Sequence, residues 1–451
     1  MLETTRRQRA RLKAGRQMPL FKANGSGFAD PAFSENREVP IHRWVPWVAG
    51  FSAGFVGQVL AKHTPQGGTI LDPFAGVGTT LVQTVIAGPR YRAIGFEINP
   101  FAAFAAQTKL EAIATDPGAL RELQGRFCAE APRSEPIQPP AGFRSRIAFF
   151  SPRVENQVLR ALSWIRQVAD PVGRKLLLLA FSSTMVKFSN YTYEPSLSSR
   201  PAVDKSLVED APVYSIIVEK LSGMVSDLEA VQRRQNKFGK GRIYAQSCST
   251  ALEVLGPGSI DLVVTSPPYA NNYHYLRNTR PQLYWLNFVS SSSDLQPVEQ
   301  QSLGKFWQTV RQLPPQPLNF AFPDLEVILA ELRSRNPDRG IYGGKGWANY
   351  IATYFNDSFE FLKVLRRLLK PRGVAVIVIG NSIVQGVEVK TDEILGHLAE
   401  SRSVGLEVES LEIARTKRVG NSIINSTVRN AAGKTATLYE AILTLRNPDI
   451  S

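Results

Sequence analysis

The sequence predicts an α/β protein built on a doubly wound parallel sheet, with a mostly helical insertion between the two halves of that sheet. Three observations support this prediction: strand and helix patterns alternate over 69–115, helical patterns alone occupy 116–240, and strand patterns return from 241 onward. A chain of 451 residues with 43% hydrophobic residues is long enough to bury a core of this kind.

The first half begins with an aromatic segment and continues with two strand–helix units. Apolar residues recur at helical spacing in IHRWVPWVAGFSAGFVGQVLAKH, and PQGG ends that pattern. TILDPFAG is typical of a buried strand that ends in a Gly-rich turn, and TTLVQTVIAG predicts a helix closed by Gly88. YRAIGFEINP predicts a second strand, and PFAAFAAQTKLEAIA predicts a second helix. This order of elements is the opening of a doubly wound sheet.

Helices dominate the middle of the chain, and strands return after it. RVENQVLRALSWIRQVA, GRKLLLLAFSSTMVKFS and SIIVEKLSGMVSDLEAVQRRQ predict three helices separated by Pro- and Ser-rich turns. Strands are predicted at GRIYAQS, DLVVTSPPY and VAVIVIG, with an irregular stretch over 270–345. A long helix, NYIATYFNDSFEFLKVLRRLLK, is expected to end at PRGV, and LEVESLEIAR and TLYEAILTL are candidate strands.

The charge of the chain favours a polyanionic partner. The formal net charge is +14 and the isoelectric point is about 9.8, so nucleic acid is the first candidate. Part of the excess lies in a basic N-terminal arm, which either lies on phosphates or is a solvated tail. Its basic residues are Arg6, Arg7, Arg9, Arg11, Lys13 and Arg16.

Cysteine usage and hydropathy predict a cytoplasmic protein. Two cysteines form no disulfide framework and no metal-site spacing, as expected in a reducing compartment. No secretory signal and no run of about 18 apolar residues is visible, so no membrane association is expected.

Two motifs point to a nucleotide-like cofactor. In DPFAGVGTT, Gly76 and Gly78 allow a sharp turn and a close approach of the backbone to a ligand, although a tight strand-to-helix turn needs glycines whatever it binds. In GFEINP, Glu97 follows Asp72 by about 25 residues and ends the next strand. A carboxylate there can accept hydrogen bonds from both hydroxyls of a ribose, and a surface glutamate is the alternative.

TSPPY, at 265–269, is the most specific motif. Two prolines at the end of a buried strand fix a rigid turn whose carbonyl oxygens no strand ladder uses. The Ser266 hydroxyl and the Pro267 carbonyl can accept hydrogen bonds from an exocyclic amino group, while the Tyr269 ring stacks on the base. Holding both amino hydrogens aims the nitrogen lone pair at an electrophilic methyl group, so catalysis would be mostly positioning. An ordinary turn after a strand is the alternative.

In this order, DPFAGVGTT, GFEINP and DLVVTSPPY resemble the cofactor loop, the ribose carboxylate and the catalytic loop of the amino-methylating (N4-cytosine/N6-adenine) DNA methyltransferases. IHRWVPWVAGFSAGF resembles the segment that, in this family, packs an aromatic residue near the methionine end of the cofactor. The resemblance covers roughly 39–110 and 241–445. It implies a Rossmann-like class I methyltransferase fold, S-adenosylmethionine as cofactor, and double-stranded DNA with a flipped-out base as substrate. It also admits a cognate restriction system as a partner.

The resemblance implies the site residues as well. The catalytic residues would be Ser266, Pro267, Pro268 and Tyr269. The cofactor-binding residues would be Phe51, Asp72, Pro73, Phe74, Gly76, Gly78, Thr79, Thr80, Glu97, Ile98, Asn99, Ser247 and Cys248. Ser247 stands where the family often has an acidic residue facing the adenine of the cofactor, and Gly380 and Asn381 stand where it often lines the base pocket.

The target atom is left open among related possibilities. A serine before the two prolines is associated in the family mainly with N4 of cytosine, and an aspartate or asparagine mainly with N6 of adenine. Ser266 therefore favours cytosine, with N6-adenine methylation and RNA guanine-N2 methylation as alternatives. C5-cytosine methylation is disfavoured because the chain has no Pro-Cys dipeptide. A catalytically dead DNA-binding scaffold is a further alternative, which the intact motifs disfavour.

These predictions divide the chain into four parts. Residues 1–38 form the basic arm, 39–115 the cofactor-binding half, 116–240 the helical insertion, and 241–451 the catalytic half with its irregular insertion at 270–345. The insertion at 116–240 is the first candidate for target recognition and 270–345 the second, and a purely structural role for either is open.

Overall fold

The computed structural model describes residues 28, 31, 33–47, 50–193, 196–271, 273–417 and 437–449. The basic residues of the arm predicted at 1–38 lie outside the described residues.

The strands within the described residues are β1 (Gly68–Asp72), β2 (Tyr91–Phe96), β3 (Tyr191–Tyr193), β4 (Leu197–Ser199), β5 (Lys240–Tyr244), β6 (Ile260–Thr265), β7 (Leu369–Gly380), β8 (Ser382–Val384), β9 (Val387–Val389), β10 (Glu407–Lys417) and β11 (Leu438–Arg446). The α-helices are α1 (Ala53–His63), α2 (Thr79–Ile86), α3 (Pro100–Ala112), α4 (Pro117–Glu130), α5 (Pro152–Gln167), α6 (Pro171–Thr184), α7 (Val213–Arg234), α8 (Ala251–Val254), α9 (Tyr275–Trp285), α10 (Gln296–Gln301), α11 (Trp307–Val310), α12 (Pro323–Ser334), α13 (Gly344–Leu368) and α14 (Thr391–Glu400).

Seven strands form one sheet in the order β10-β11-β7-β6-β1-β2-β5. The five strands from β7 to β5 run parallel, and β10 and β11 are antiparallel additions at one edge. From β1 the chain first builds outward through β2 to β5, and β6 and β7 then extend the sheet on the other side of β1. The strand order therefore reverses between β1 and β6, which is where α/β sheets of this kind bind their ligands. The predicted α/β doubly wound fold is confirmed.

Helices cover both faces of the sheet because successive residues of each buried strand point to opposite sides. On β1, Ile70 packs in an apolar cluster with α1, whereas Leu71 packs in a second cluster with α13 and α14. Side-chain caps fix the residues at which the helices begin. Asn99, for example, caps α3 by accepting hydrogen bonds from the backbone N–H groups of Phe101 and Ala102.

The helices α4 to α7 form the insertion between the two halves of the sheet, and they share one core cluster with α2 and α3. One buried carboxylate ties this insertion to the segment ahead of α1. Asp227 on α7 accepts hydrogen bonds from the backbone N–H of Ile41 at 2.9 Å, from Trp44 Nε1 at 3.0 Å and from Arg43 Nη2 at 2.6 Å. The helical insertion and the residues before α1 are therefore packed as one unit.

The structure differs from the predicted elements in three places. The helical pattern predicted to begin near residue 41 forms an α-helix only from Ala53. The last parallel strand begins at Leu369 and not after the PRGV sequence, because Leu369 already pairs with Ile260. The register then shifts, so that Leu262 pairs with Val374, and Arg372 in the intervening stretch has a left-handed conformation (φ 63°). The stretch 270–345, predicted to be irregular, contains helices α9 to α12. Pro281 lies inside α9, and a proline within a helix pattern argues against a helix, which accounts for the wrong prediction.

Candidate active site

A cleft of about 1050 Å³, counting its solvent-open part, lies at the carboxyl ends of β1, β2, β5 and β6. Residues from both predicted motif groups line it. Its walls are formed by Trp47, Pro73, Phe74, Gly76, Phe96, Glu97, Ile98, Asn99, Gln246, Ser247, Cys248, Ser266, Pro268, Tyr269, Tyr273, His274, Tyr275, Leu276, Glu299, Gln301, Ser302, Leu303, Gly304, Phe306 and Tyr350. The cofactor loop and the catalytic loop thus share one cavity.

The two glycines of the cofactor loop have different roles. Gly76 lines the cleft with φ +50°, and a Cβ atom there would lie 3.0 Å from Trp47 Nε1. Gly78 has φ +86°, and a Cβ atom there would lie 2.9 Å from the Cβ of Ala106 on α3. Gly76 therefore keeps the floor of the cleft open, whereas Gly78 allows α2 to start close against α3.

Glu97 follows the end of β2 and points a carboxylate into the cleft. Its Oε2 accepts a hydrogen bond from Gly76 N at 2.8 Å, and its Oε1 accepts one from Asn99 N at 2.7 Å. Burial raises the pKa of Glu97 to about 7, because its effect is larger than that of the two hydrogen bonds, which lower the pKa. The carboxylate therefore joins the glycine loop to the second strand and retains acceptor capacity toward the cavity.

Asp72 connects the cofactor loop to the catalytic loop and does not line the cleft. It accepts hydrogen bonds at 2.7 Å from the hydroxyls of Thr80, at the start of α2, and Thr265, directly before Ser266. Burial raises the pKa of Asp72 to about 6. The carboxylate holds the ends of β1 and β6 in a fixed relation, so we describe it as a positioning residue.

The predicted catalytic residues 266–269, here called the catalytic corner, are held by contacts behind the cavity. Tyr354 on α13 donates a hydrogen bond to the carbonyl of Pro268 at 2.9 Å. The Tyr269 hydroxyl donates to Glu440 Oε1 at 3.2 Å, and a Cβ atom at Gly380 would lie 3.1 Å from the Tyr269 ring. The ring is therefore clamped at its far end and along one edge, while it still borders the cleft.

Ser247 and Cys248 lie at the opposite end of the cleft, after β5. The Ser247 hydroxyl donates a hydrogen bond to the carbonyl of Gln301 at 3.2 Å and accepts one from Ser249 N at 3.4 Å. Burial raises the pKa of the Cys248 thiol to about 12, so it remains a thiol. This end of the cavity carries uncharged polar groups where the family often has a carboxylate.

Sequence reasoning missed a second set of lining residues, which come from 273–276 and 299–306. His274 hydrogen-bonds Glu299 at 3.0 Å, and its ring stacks on Phe306 with ring centroids 4.1 Å apart. These residues lie in the stretch predicted to be irregular, and no motif marks them. The density of aromatic residues just after TSPPY was the available signal, because aromatic groups commonly line ligand pockets.

The aromatic segment before α1 also contributes differently from the prediction. Trp47 lines the cleft and stacks on Tyr275, with ring centroids 6.5 Å apart. Phe51 instead packs edge-to-face on Phe55 in the apolar core beneath α1. Trp47, and not Phe51, is therefore the aromatic residue of this segment that lines the cleft.

Six predicted site residues do not line the cleft: Phe51, Asp72, Gly78, Thr79, Thr80 and Pro267. Among them, Thr79 and Thr80 form the buried first turn of α2. The Asn381 side chain is also engaged elsewhere, since it accepts a hydrogen bond from Tyr439 N at 2.9 Å and donates one to Glu388 at 2.9 Å.

The reversed strand order, the glycine turn and the acidic end of β2 fit a Rossmann-like class I methyltransferase fold. The chain is 25% identical over 422 residues to the type II methyltransferase M.AvaI of Nostoc. The aligned region covers 87% of this chain and 84% of that protein. It is 23% identical over 282 residues to the type II methyltransferase M.BsoBI of Geobacillus stearothermophilus. That aligned region covers 56% of this chain and 54% of the other protein. These similarities support an S-adenosylmethionine-dependent amino-methyltransferase, with S-adenosylmethionine as the methyl donor.

Other comparisons are less informative. A solved rRNA methyltransferase, aviRa from Streptomyces viridochromogenes, superposes with a TM-score of 0.31 at 10% identity, covering 92% of each chain. No family model matches the chain. Within the described residues, no helix is long and apolar enough to cross a membrane.

Proposed function

We propose that the protein is a site-specific DNA methyltransferase that methylates the exocyclic N4 of cytosine in a flipped-out base. One observation carries the proposal: Ser266, Pro268 and Tyr269 border the same cavity as Gly76 and Glu97. A methyl donor held by the glycine turn and an amine held by the catalytic corner would therefore meet inside one cleft.

The residues of the cleft fit S-adenosylmethionine by their chemistry. A side chain at Gly76 would fill the space beside Trp47, and the Glu97 carboxylate is placed to accept hydrogen bonds from ribose hydroxyls. The aromatic faces of Trp47 and Tyr275 provide a surface that attracts a cationic sulfonium group. When bound, the cofactor supplies an electrophilic methyl group.

The catalytic corner would act by orientation. The Ser266 hydroxyl, which lines the cleft, would accept one amino hydrogen, so that the nitrogen lone pair points toward the cofactor end of the cleft. The Pro267 carbonyl, predicted to accept the second, is not among the lining residues. The Tyr269 ring stacks on the extruded base and offsets part of the few kcal/mol that unstacking it costs. Ser266 needs no ionised form for this task, which agrees with the uncharged character of TSPPY.

The test is to identify the methylated nucleoside. The full chain is incubated with isotope-labelled S-adenosylmethionine and unmodified genomic DNA, and the digested DNA is separated by chromatography with mass detection. Labelled N4-methyldeoxycytidine is expected. Labelled N6-methyldeoxyadenosine would overturn the choice of cytosine but keep DNA methylation, and label found only in RNA would overturn both.

A matched control separates the proposed site from trace contaminants. The double variant Ser266→Ala and Tyr269→Ala should lose the label while binding S-adenosylmethionine in calorimetry, because the cofactor end of the cleft is unchanged.

The similarity to type II methyltransferases also leads us to propose a cognate restriction nuclease as a partner system. Its test is protection: DNA methylated by this protein should resist that nuclease.

A further inference from the structure

We infer that a second cleft, about 1150 Å³ counting its solvent-open part, binds the DNA backbone next to the extruded base; this inference rests on the proposed function. Four arginines line it, two from the helical insertion (Arg144 and Arg146) and two from α9 (Arg277 and Arg280). We call it the arginine cleft. The proposed catalytic mechanism gives these four arginines no other role.

The charge of the arginine cleft is one-sided. Among its described lining residues there is no aspartate or glutamate, and the hydroxyls of Ser145, Ser198 and Ser199 complete its polar surface. Among the described residues no salt bridge involves these four guanidinium groups, although that of Arg280 lies over the Tyr284 ring, 5.6 Å from its centroid. Arg280 Nε is buried without a hydrogen-bond partner. Uncompensated guanidinium groups beside hydroxyls suit phosphate oxygens, which accept several hydrogen bonds each.

The position of the arginine cleft connects it to the active site. On α9, Leu276 lines the active-site cleft, whereas Arg277 and Arg280 line the arginine cleft. Arg280 follows Leu276 by four residues, which is about 6 Å along a helix. A DNA strand that places a base in the first cleft therefore brings its neighbouring phosphates to the second.

The two walls of the arginine cleft are fixed to each other. Asn278 on α9 accepts hydrogen bonds from the Tyr193 hydroxyl at 3.0 Å, through its backbone carbonyl, and from Leu197 N at 3.2 Å, through its side chain. Gln282 donates to the Tyr193 hydroxyl at 3.1 Å. Tyr193 and Leu197 are thus fixed to α9, and the Tyr191 hydroxyl accepts a hydrogen bond from the backbone N–H of Arg146 at 3.1 Å. The backbone around the cleft is therefore ordered before binding, which lowers the cost of binding.

The test is the salt dependence of DNA binding. Affinity for a mixed-sequence duplex is measured by fluorescence anisotropy at several salt concentrations for the wild type and for the double variant Arg144→Gln/Arg146→Gln. Each lost phosphate contact reduces the magnitude of the log–log salt slope by about 0.9, so the slope should fall by about 1.8. The affinity for S-adenosylmethionine should stay unchanged, since neither arginine lines the active-site cleft.

The double variant Arg90→Gln/Arg92→Gln is the matched control. It removes the same charge from exposed positions at the amino end of β2, at the opposite edge of the sheet from the active site. Its slope should equal that of the wild type. Equal slopes in the wild type and the Arg144/Arg146 variant, or equal losses in both double variants, would overturn the inference.

Methyl transfer by the wild-type preparation is measured on the same DNA. If the wild type methylates DNA but the Arg144/Arg146 variant keeps its slope, this inference fails while the proposed function stands. If the wild type neither binds nor methylates DNA, or the slope changes only with duplex RNA, then DNA is not the occupant and both proposals fail.

Discussion

The role of the Tyr269 ring can be separated from that of its hydroxyl. In Tyr269→Phe the stacking face remains, and the hydrogen bonds of the hydroxyl to Glu440 and Ser266 are lost, while Glu440 keeps its 2.6 Å contact with Arg415. In Tyr269→Ala the face itself is lost, at about 1–3 kcal/mol of base stacking. We therefore expect kcat/KM for DNA to fall by about 5- to 150-fold in the alanine variant and clearly less in the phenylalanine variant.

The assay is single-turnover methyl transfer at saturating S-adenosylmethionine, with thermal unfolding and cofactor calorimetry as checks on folding and on the cofactor end of the cleft. Both variants should bind the cofactor as the wild type does. If the phenylalanine variant loses as much activity as the alanine variant, the hydroxyl and not the ring is the functional group. If both retain full activity, the stacking role of Tyr269 is refuted.

Three further predictions concern the cofactor end of the cleft. Burial raises the pKa of Glu97 to about 7, and only the ionised carboxylate accepts two ribose hydrogen bonds. Calorimetry should therefore show that the Kd for S-adenosylmethionine rises as the pH falls through 7. In Glu97→Gln the binding should be weak and its Kd should not depend on pH. Trp47→Ala should weaken cofactor binding by about 1–2 kcal/mol, roughly 5- to 30-fold. Phe51→Ala should lower the unfolding temperature and leave the Kd of the folded protein for the cofactor unchanged. The reverse pattern would show that Phe51 and not Trp47 contacts the cofactor. Gly78→Ala should cost about 1–2 kcal/mol of stability from its left-handed backbone alone, measured by denaturant unfolding, and Gly76→Ala should chiefly reduce cofactor affinity.

The sheet was predictable because its signals are local. The buried run ahead of Asp72 and the apolar run ahead of Ser266 each specify a strand, and parallel strands place their carboxyl ends at one edge. The shared cavity follows from these two facts and the order of the motifs. The insertion helices were also visible, since their apolar residues recur at helical spacing.

The remaining walls of the cleft were not predictable, because they depend on tertiary packing. His274 and Glu299 are 25 residues apart and meet only because the chain between them folds back over the cavity. The distinction between Trp47 and Phe51 likewise depends on the exact path of the chain before α1, which no periodicity encodes. Asp72 belongs to the motif, but its role as a link to Thr265 requires that β1 and β6 be neighbours.

The four hydrogen bonds that converge on Asp227 have a consequence for engineering. Asp227 lies on α7, within the helical insertion 116–240, and its carboxylate secures the peptide that leads to Trp47. A chimera that exchanges 116–240 must therefore carry residues 41–44 along with it, or the graft will perturb the cofactor site that it was meant to leave intact.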